Sequence, residues 1–161
     1  MSYQLSDNWP RHYYYGKTPA QLISEKGENV NVKKLTPILN VSNMEESFAW
    51  FEKLGWKKLW DWGEPPGFGG VGNGEVEIFL CLNGQGSRGG PMPQDAWESN
   101  GGTWVTWWLA LAADVDAAHQ QALAQGVTVT WPPTDMPWGV RECHLRHPDG
   151  HTFRVSAGTE E

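Results

Sequence analysis

The sequence predicts an α+β fold made of two tandem βαβββ modules. Three observations predict it. Two stretches run from a helix-capping residue to a glycine over the same distance, Asn43 to Gly55 and Asp114 to Gly126. A strand-like run precedes each stretch, and another follows each glycine at once. Each copy then carries a hairpin dipeptide between apolar runs, Asn73-Gly74 in the first and Asp149-Gly150 in the second. Both dipeptides favour two-residue hairpin turns, because both tolerate positive φ.

The elements follow in chain order. Residues 1–34 read as an N-terminal extension carrying Trp9 and the run Tyr13, Tyr14, Tyr15, where Thr18 followed by Pro19 predicts a short helix through Ile23. The first module covers residues 35–83. Its opening strand is Leu35 to Val41, and Ser42 or Asn43 is the N-cap. The helix runs from Met44 to Leu54 with Met44, Phe48 and Phe51 as its core stripe, and Gly55 ends it. A strand from Trp56 to Trp60 and a hairpin of Phe68 to Val71 with Glu75 to Leu82 complete the module. Residues 84–103, rich in Gly, Pro, Asn and Ser, read as a linker loop.

The second module covers residues 104–157, with a tail at 158–161. Its strand is Trp104 to Leu111. Asp114 caps a helix from Val115 to Gln125, with Val115, Ala118 and Ala122 facing inward. The next strand is Val127 to Trp131, and the hairpin pairs Val140 to Arg146 with His151 to Val155. The 71-residue offset places Trp60 over Trp131.

Composition narrows the function. Eleven of 161 residues are Trp. A formal charge of −7 argues against nucleic acid, whose phosphates need clustered Lys and Arg, and is compatible with a cationic or neutral small ligand. The longest apolar run, Trp107 to Ala113, is too short to span a bilayer, and the start lacks a secretory pattern. We therefore expect a cytoplasmic protein with no membrane partner. Two cysteines, Cys81 and Cys143, predict reduced thiols. No nucleophile–His–acid grouping, phosphate-cradling Gly loop or CxxC motif is present, so no catalytic residues are assigned.

The string Pro137-Trp138-Gly139-Val140-Arg141-Glu142, followed by Leu145-Arg146-His147-Pro148-Asp149-Gly150-His151, is the most specific piece of the chain. With Thr36-Pro37-Ile38-Leu39 and with Phe48, Trp50, Phe51, Leu54 and Gly55, it resembles the vicinal oxygen chelate superfamily over residues 35–157. That group includes glyoxalase I, extradiol dioxygenases and bleomycin-binding resistance proteins, and the string is most similar to the bleomycin-resistance branch. The resemblance implies a glyoxalase/bleomycin resistance fold, a curved mixed sheet around a cavity. In catalytic branches a divalent metal there takes ligands from the first strand and the last hairpin strand of each half. The repeat alignment puts Thr36, Thr106 or Trp107, Ile78 and Arg154 at those positions. None is an ordinary ligand, so no metal and no cofactor are expected.

The resemblance further implies non-catalytic binding of a flat, aromatic or cationic small molecule, as in antibiotic-sequestering proteins, by a homodimer with grooves at the subunit interface. The alternatives are a metal-dependent glyoxalase- or dioxygenase-like enzyme, and a structural or stress protein whose Trp residues are core. Trp60, Trp62 and Phe68 beside Asp61 and Glu64 look like the branch's acidic aromatic cover, where rings stack and carboxylates attract a cation. Trp138 resembles a groove wall. Trp104, Thr106 and Trp108 share one side of their strand and Val105, Trp107 and Leu109 the other. The repeat puts Trp107 at the cavity-facing position. Arg141 and Glu142 point to opposite faces, so only one reaches the cavity; Arg141 joins the ligand candidates. His144 and His151 are candidate bases only in the enzyme reading.

Overall fold

The first helix forms where its caps dictate. The Asn43 side chain accepts a hydrogen bond from the Glu46 N–H at 3.0 Å, and Glu45 and Glu46 place negative charge on the first turn. The computed structural model describes residues 30–90, 97, 98 and 100–159. The expected helix at Thr18 to Ile23 lies outside the described residues. The elements are β1 (Ile38–Val41), α1 (Met44–Glu52), β2 (Lys57–Trp62), β3 (Phe68–Asn73), β4 (Val76–Leu82), β5 (Trp104–Trp108), α2 (Ala112–Ala124), β6 (Thr128–Met136), β7 (Val140–Arg146) and β8 (Thr152–Gly158). No helix among the described residues is long and apolar enough to cross a membrane.

Each βαβββ module makes its own four-stranded sheet, ordered β1-β4-β3-β2 and β5-β8-β7-β6. In each, the first strand runs parallel to the last while the hairpin strands are antiparallel. The helix-facing side chains of both sheets join one core. Leu39, Val41, Ile78 and Leu80 come from the first sheet, and Cys143, Leu145, Phe153 and Val155 from the second. The helices α1 and α2 therefore lie between the sheets. Trp50 and Phe51 of α1 reach across to Phe153 of β8, with ring centroids 5.3 and 5.6 Å apart. It follows that the opposite faces of the two sheets lie on the two outer sides of the chain, rather than around one shared cavity.

Three sequence expectations need correction. The helix α2 starts at Ala112, with Leu111 as N-cap, three residues earlier than expected. The Asp114 carboxylate accepts from the Leu111 N–H at 3.1 Å, so it acts from inside the first turn. The first hairpin pairs Asn73 with Val76, which makes Gly74 and Glu75 its turn residues, and only Gly74 has positive φ. The second hairpin closes through Pro148-Asp149-Gly150: His147 N–H donates to the His151 carbonyl at 2.9 Å and Gly150 N–H to the His147 carbonyl at 2.8 Å. Pro-Asp-Gly suits a three-residue turn ending in the left-handed region, and Gly150 has φ +83°.

That turn is also the joint between the modules. The Ser42 N–H donates to Asp149 Oδ2 at 2.9 Å, and Gly89 N–H donates to the Asp149 carbonyl at 2.6 Å. The linker backbone crosses so closely that a Cβ on Gly150 would lie 2.4 Å from the Gly89 Cα. We predict that Gly150→Ala destabilises the chain by at least about 3 kcal/mol, from left-handed strain plus a backbone clash. Gly74→Ala, also at positive φ but with nothing within 4 Å, should cost only about 1 kcal/mol. Urea unfolding of both variants checks this; equal losses would show that the crossing does not matter.

Candidate functional site

The outer face of the first sheet is made by β2, β3 and β4. Trp60, Phe68 and Phe79 form a ring cluster there, with centroids 5.2 to 5.6 Å apart. Gly70 makes this possible, because a Cβ at that position would lie 2.6 Å from the Trp60 indole nitrogen. Trp60 Nε1 donates to Glu77 Oε1 at 2.8 Å, and Lys34 Nζ donates to Glu77 Oε2 at 2.7 Å. Lys34 first, then Trp60, holds the Glu77 carboxyl below its usual range. Trp62 follows on the same strand and is 74% exposed. Asp61 pairs with Lys58, and Glu64 is exposed. The carboxylates near these rings are thus partly neutralised, which weakens the cation attraction expected from sequence.

The outer face of the second sheet holds a second aromatic group around a polar row. Strand pairing aligns Trp131 of β6, His144 of β7, Arg154 of β8 and Thr106 of β5 across the sheet. The neighbouring Glu142 is fully buried. Glu142 Oε2 accepts from Arg154 Nη2 at 2.7 Å and from Ser156 Oγ at 3.2 Å, while Oε1 lies 3.4 Å from His144 Nε2. Burial pushes the Glu142 carboxyl up, but His144 and Arg154 outweigh it and hold it below the usual range.

Over this row sits the indole of Trp97. Its centroid is 4.6 Å from His144, 5.5 Å from Trp131, 6.1 Å from Trp138 and 6.4 Å from Trp104, the last pair stacked. The Arg154 guanidinium lies 5.7 Å from the Trp97 ring centre. Trp138 therefore belongs to an aromatic cup. Trp97, Trp131, Glu142, His144 and Arg154 were not among the ligand candidates from sequence. Trp97 sits in a linker without periodicity, and its partners come from strands far along the chain. The alternation that put Glu142 opposite Arg141 and grouped Trp104 with Thr106 was the available signal for the rest.

Two sequence candidates lie elsewhere. Arg141 faces α2, where Nε and Nη2 donate to the Asp116 carboxylate at 2.9 and 2.7 Å and Nη1 to Asp135 at 2.9 Å. The helix packs on the side of β7 that carries Arg141, so Glu142 takes the outer face. Trp107 points toward the core, with its ring 4.9 Å from Trp56 and 4.6 Å from Phe153. It also borders a cleft of about 720 Å³ along the open edge of β5, shared with Trp56, Val76, Glu77, Trp104 and Trp108. The first-sheet candidates Trp60 and Phe68 come together, whereas Trp107, Trp138 and Arg141 do not join them in one site.

The positions corresponding to superfamily metal ligands also shift. The helices match at their terminal glycines, but α2 has 13 residues and α1 has nine. Counting back from the helix starts pairs Ile38 of β1 with Thr106 of β5, rather than Thr36 with Thr106 or Trp107. Ile38 neighbours Phe79, and Thr106 neighbours Arg154. Ile78, expected at the last-strand position of the first module, faces the core. The outer-face set of Ile38, Phe79, Thr106 and Arg154 offers no carboxylate, imidazole or thiolate and does not fit a divalent cation.

Comparison with known proteins agrees with this architecture. The family model for the Glyoxalase/Bleomycin resistance protein/Dioxygenase superfamily matches residues 33–155. No curated protein matches. Among solved structures, the chain is similar to TioX from Micromonospora sp. ML1, with 18% identity, a TM-score of 0.62, and coverage of 79% of this chain and 99% of that one. It is similar to a bleomycin-binding protein complexed with bleomycin, with 18% identity, a TM-score of 0.57, and coverage of 81% and 100%. It is also similar to a bleomycin resistance determinant encoded on transposon Tn5, with 19% identity, a TM-score of 0.56, and coverage of 79% and 98%. With two βαβββ modules and a family match over most of its length, the chain belongs to the glyoxalase/bleomycin resistance protein/dioxygenase superfamily.

Proposed function

We propose that this protein binds a flat aromatic small molecule without transforming it, in the manner of an antibiotic-sequestering member of the superfamily. The observation that carries this reading is the cup on the second sheet, which holds an indole ring between Trp104, Trp131, Trp138 and His144. A surface that accepts one flat heteroaromatic ring in stacked and edge contacts suits another. The Trp60, Phe68 and Phe79 cluster offers a second such surface. The bleomycin complex of a similar structure supports the ligand class.

Two copies of the chain complete the site in this reading. The two aromatic faces lie on opposite outer sides, and Trp62 and Trp108 are 74% and 65% exposed on them. In a homodimer, the first-sheet face of one copy meets the second-sheet face of the other and encloses a groove. Light scattering should then give twice the chain mass. The free thiols of Cys81 and Cys143 accord with a cytoplasmic location.

Titration of the full chain, followed by tryptophan fluorescence, tests the binding. The probes are metal-free bleomycin, proflavine as a cationic flat ring and quinoline as a neutral one. At least one is expected to quench saturably with Kd on the order of micromolar. An unsaturable or absent response to all three would sink the reading.

A further inference from the structure

Trp97 fills the aromatic cup but leaves its polar groups unserved. Three side-chain atoms in one cross-strand row are buried and without a hydrogen-bond partner: His144 Nδ1, Arg154 Nε and Trp131 Nε1. His144 and Arg154 are direct neighbours across β7 and β8, and Trp131 and His144 across β6 and β7. Their roles can be assigned. His144 Nε2 faces Glu142 Oε1 at 3.4 Å, and an ionised carboxylate only accepts, so Nε2 carries the ring proton. With its proton on Nε2, the ring presents Nδ1 as an unpartnered acceptor. Arg154 Nε–H and Trp131 Nε1–H are donors. Buried polar groups are normally satisfied, and a row of three unsatisfied ones marks a place for something other than an indole.

Charge gives the second half of the argument. Glu142 is occupied by Arg154, Ser156 and His144. Arg146 stands on the same face of β7, two residues beyond His144, and is 6% exposed. Arg146 Nη1 donates to Thr152 Oγ1 at 2.8 Å, and Nη2 has no partner. Among the described residues no carboxylate pairs with it. Among the described strand residues on this face, Arg146 and Arg154 are thus set against the single carboxylate of Glu142, although the whole chain has a formal charge of −7.

We infer that Trp97 stands in for the ring of the true ligand, and that this ligand is a planar heteroaromatic carboxylate with a ring N–H beside the carboxylate. The ring takes the place of the Trp97 indole against Trp104, Trp131 and Trp138. The carboxylate accepts from Arg154 Nε–H and Trp131 Nε1–H, and the ring N–H donates to His144 Nδ1. The excess positive charge of Arg146 favours the anionic edge. This deepens the proposed function and rests on it.

Indole-2-carboxylate is the probe, because it carries both groups on the ring that Trp97 already presents. Indole lacks the carboxylate, and 1-methylindole-2-carboxylate lacks the N–H. Calorimetry on the full chain and on Trp97→Ala should show the variant binding indole-2-carboxylate at least about tenfold more tightly than the unaltered chain. Each control compound should bind Trp97→Ala at least about tenfold more weakly than the probe, and Trp131→Phe in that background should lose about tenfold for the probe alone. Saturation-transfer NMR on the unaltered protein should rank the three compounds in the same order, independently of how the variants fold. If Trp97→Ala binds the probe no better than the unaltered chain, Trp97 is not the stand-in. If all three compounds bind equally, the polar edge is refuted while flat-ring binding survives. If none binds either form, and bleomycin, proflavine and quinoline also fail, the proposed function falls with it.

Discussion

Phe51→Ala is expected to cost about 3–5 kcal/mol of stability, the range for truncating a fully buried aromatic ring. Phe51 belongs to the first module, yet much of what it touches belongs to the second. Its ring lies 5.0 Å from Trp50 and 5.5 Å from Trp56 on its own side. Across the module boundary it lies 5.6 Å from Phe153, 6.1 Å from His147 and 6.4 Å from Trp107. Removing it opens a cavity where α1 meets the second sheet, which the surrounding rings cannot close without moving both modules. Urea unfolding should show one cooperative transition at a lower midpoint. A loss under about 1 kcal/mol would mean that the modules do not share a core. Two separate transitions in the unaltered protein would say the same.

Acid is expected to destabilise the fold between about pH 6.5 and pH 4. The module joint is held by two neutral histidines. His147 Nδ1 accepts from the Asp149 N–H at 3.0 Å, so Nε2–H donates to Ser47 Oγ at 3.1 Å. His151 Nδ1 accepts from the Thr103 N–H at 3.0 Å, and Nε2–H donates to the Asn40 carbonyl at 2.7 Å. Both nitrogens of each ring are engaged, and protonation would break one bond in each. Burial first, and the neighbouring His151 second, push His147 down to about 4 from 6.5. Burial also lowers His151, against the opposing pull of its bond to Asn40.

The sign follows from proton counting. Between the two His147 values the unfolded chain binds more protons than the folded one, so stability falls as pH falls. The loss begins as the unfolded histidines protonate near 6.5 and levels off below the folded value. A shift of this size corresponds to about 3 kcal/mol for His147 alone. Glu142, whose carboxyl sits below 4.5 in the fold, adds its own loss only at lower pH, so the upper window isolates the histidines. Denaturant unfolding from pH 7.5 down to pH 4.5 measures the slope. His147→Gln should lower stability at neutral pH and flatten the slope. An unchanged slope in that variant would remove His147 as its source.

Short-range chemistry explains what was legible in the sequence. Asn43 as a cap, Gly55 and Gly126 as helix ends and the order of strands all depend on residues a few positions apart. The same locality explains the misplacements. A carboxylate such as Asp114 satisfies an orphan N–H from the cap or from inside the first turn, and the sequence reads alike in both cases. That ambiguity moved the start of α2 by three residues and displaced the first-strand alignment with it. Alternation along β7 showed that Arg141 and Glu142 face opposite ways, but not which of them faces out. The side of the strand on which α2 packs, with Asp116 in reach of Arg141, decided that.

The chain by itself determined two βαβββ modules, a helix in each and an aromatic-rich hairpin edge in the first. Tertiary structure alone decided that the helices lie between the sheets, so that Trp60, Phe68 and Phe79 lie on one outward face, Trp104 and Trp131 on the other, and Trp50, Phe51, Trp56, Trp107 and Phe153 in the core between them. It alone brought Trp97 from the linker onto Trp104, Trp131, Trp138 and His144, and set Arg154 beside Glu142. Caps and periodicity act over one turn or one strand. The chemistry of a sheet face arises between strands, where register and packing choose which side chains meet.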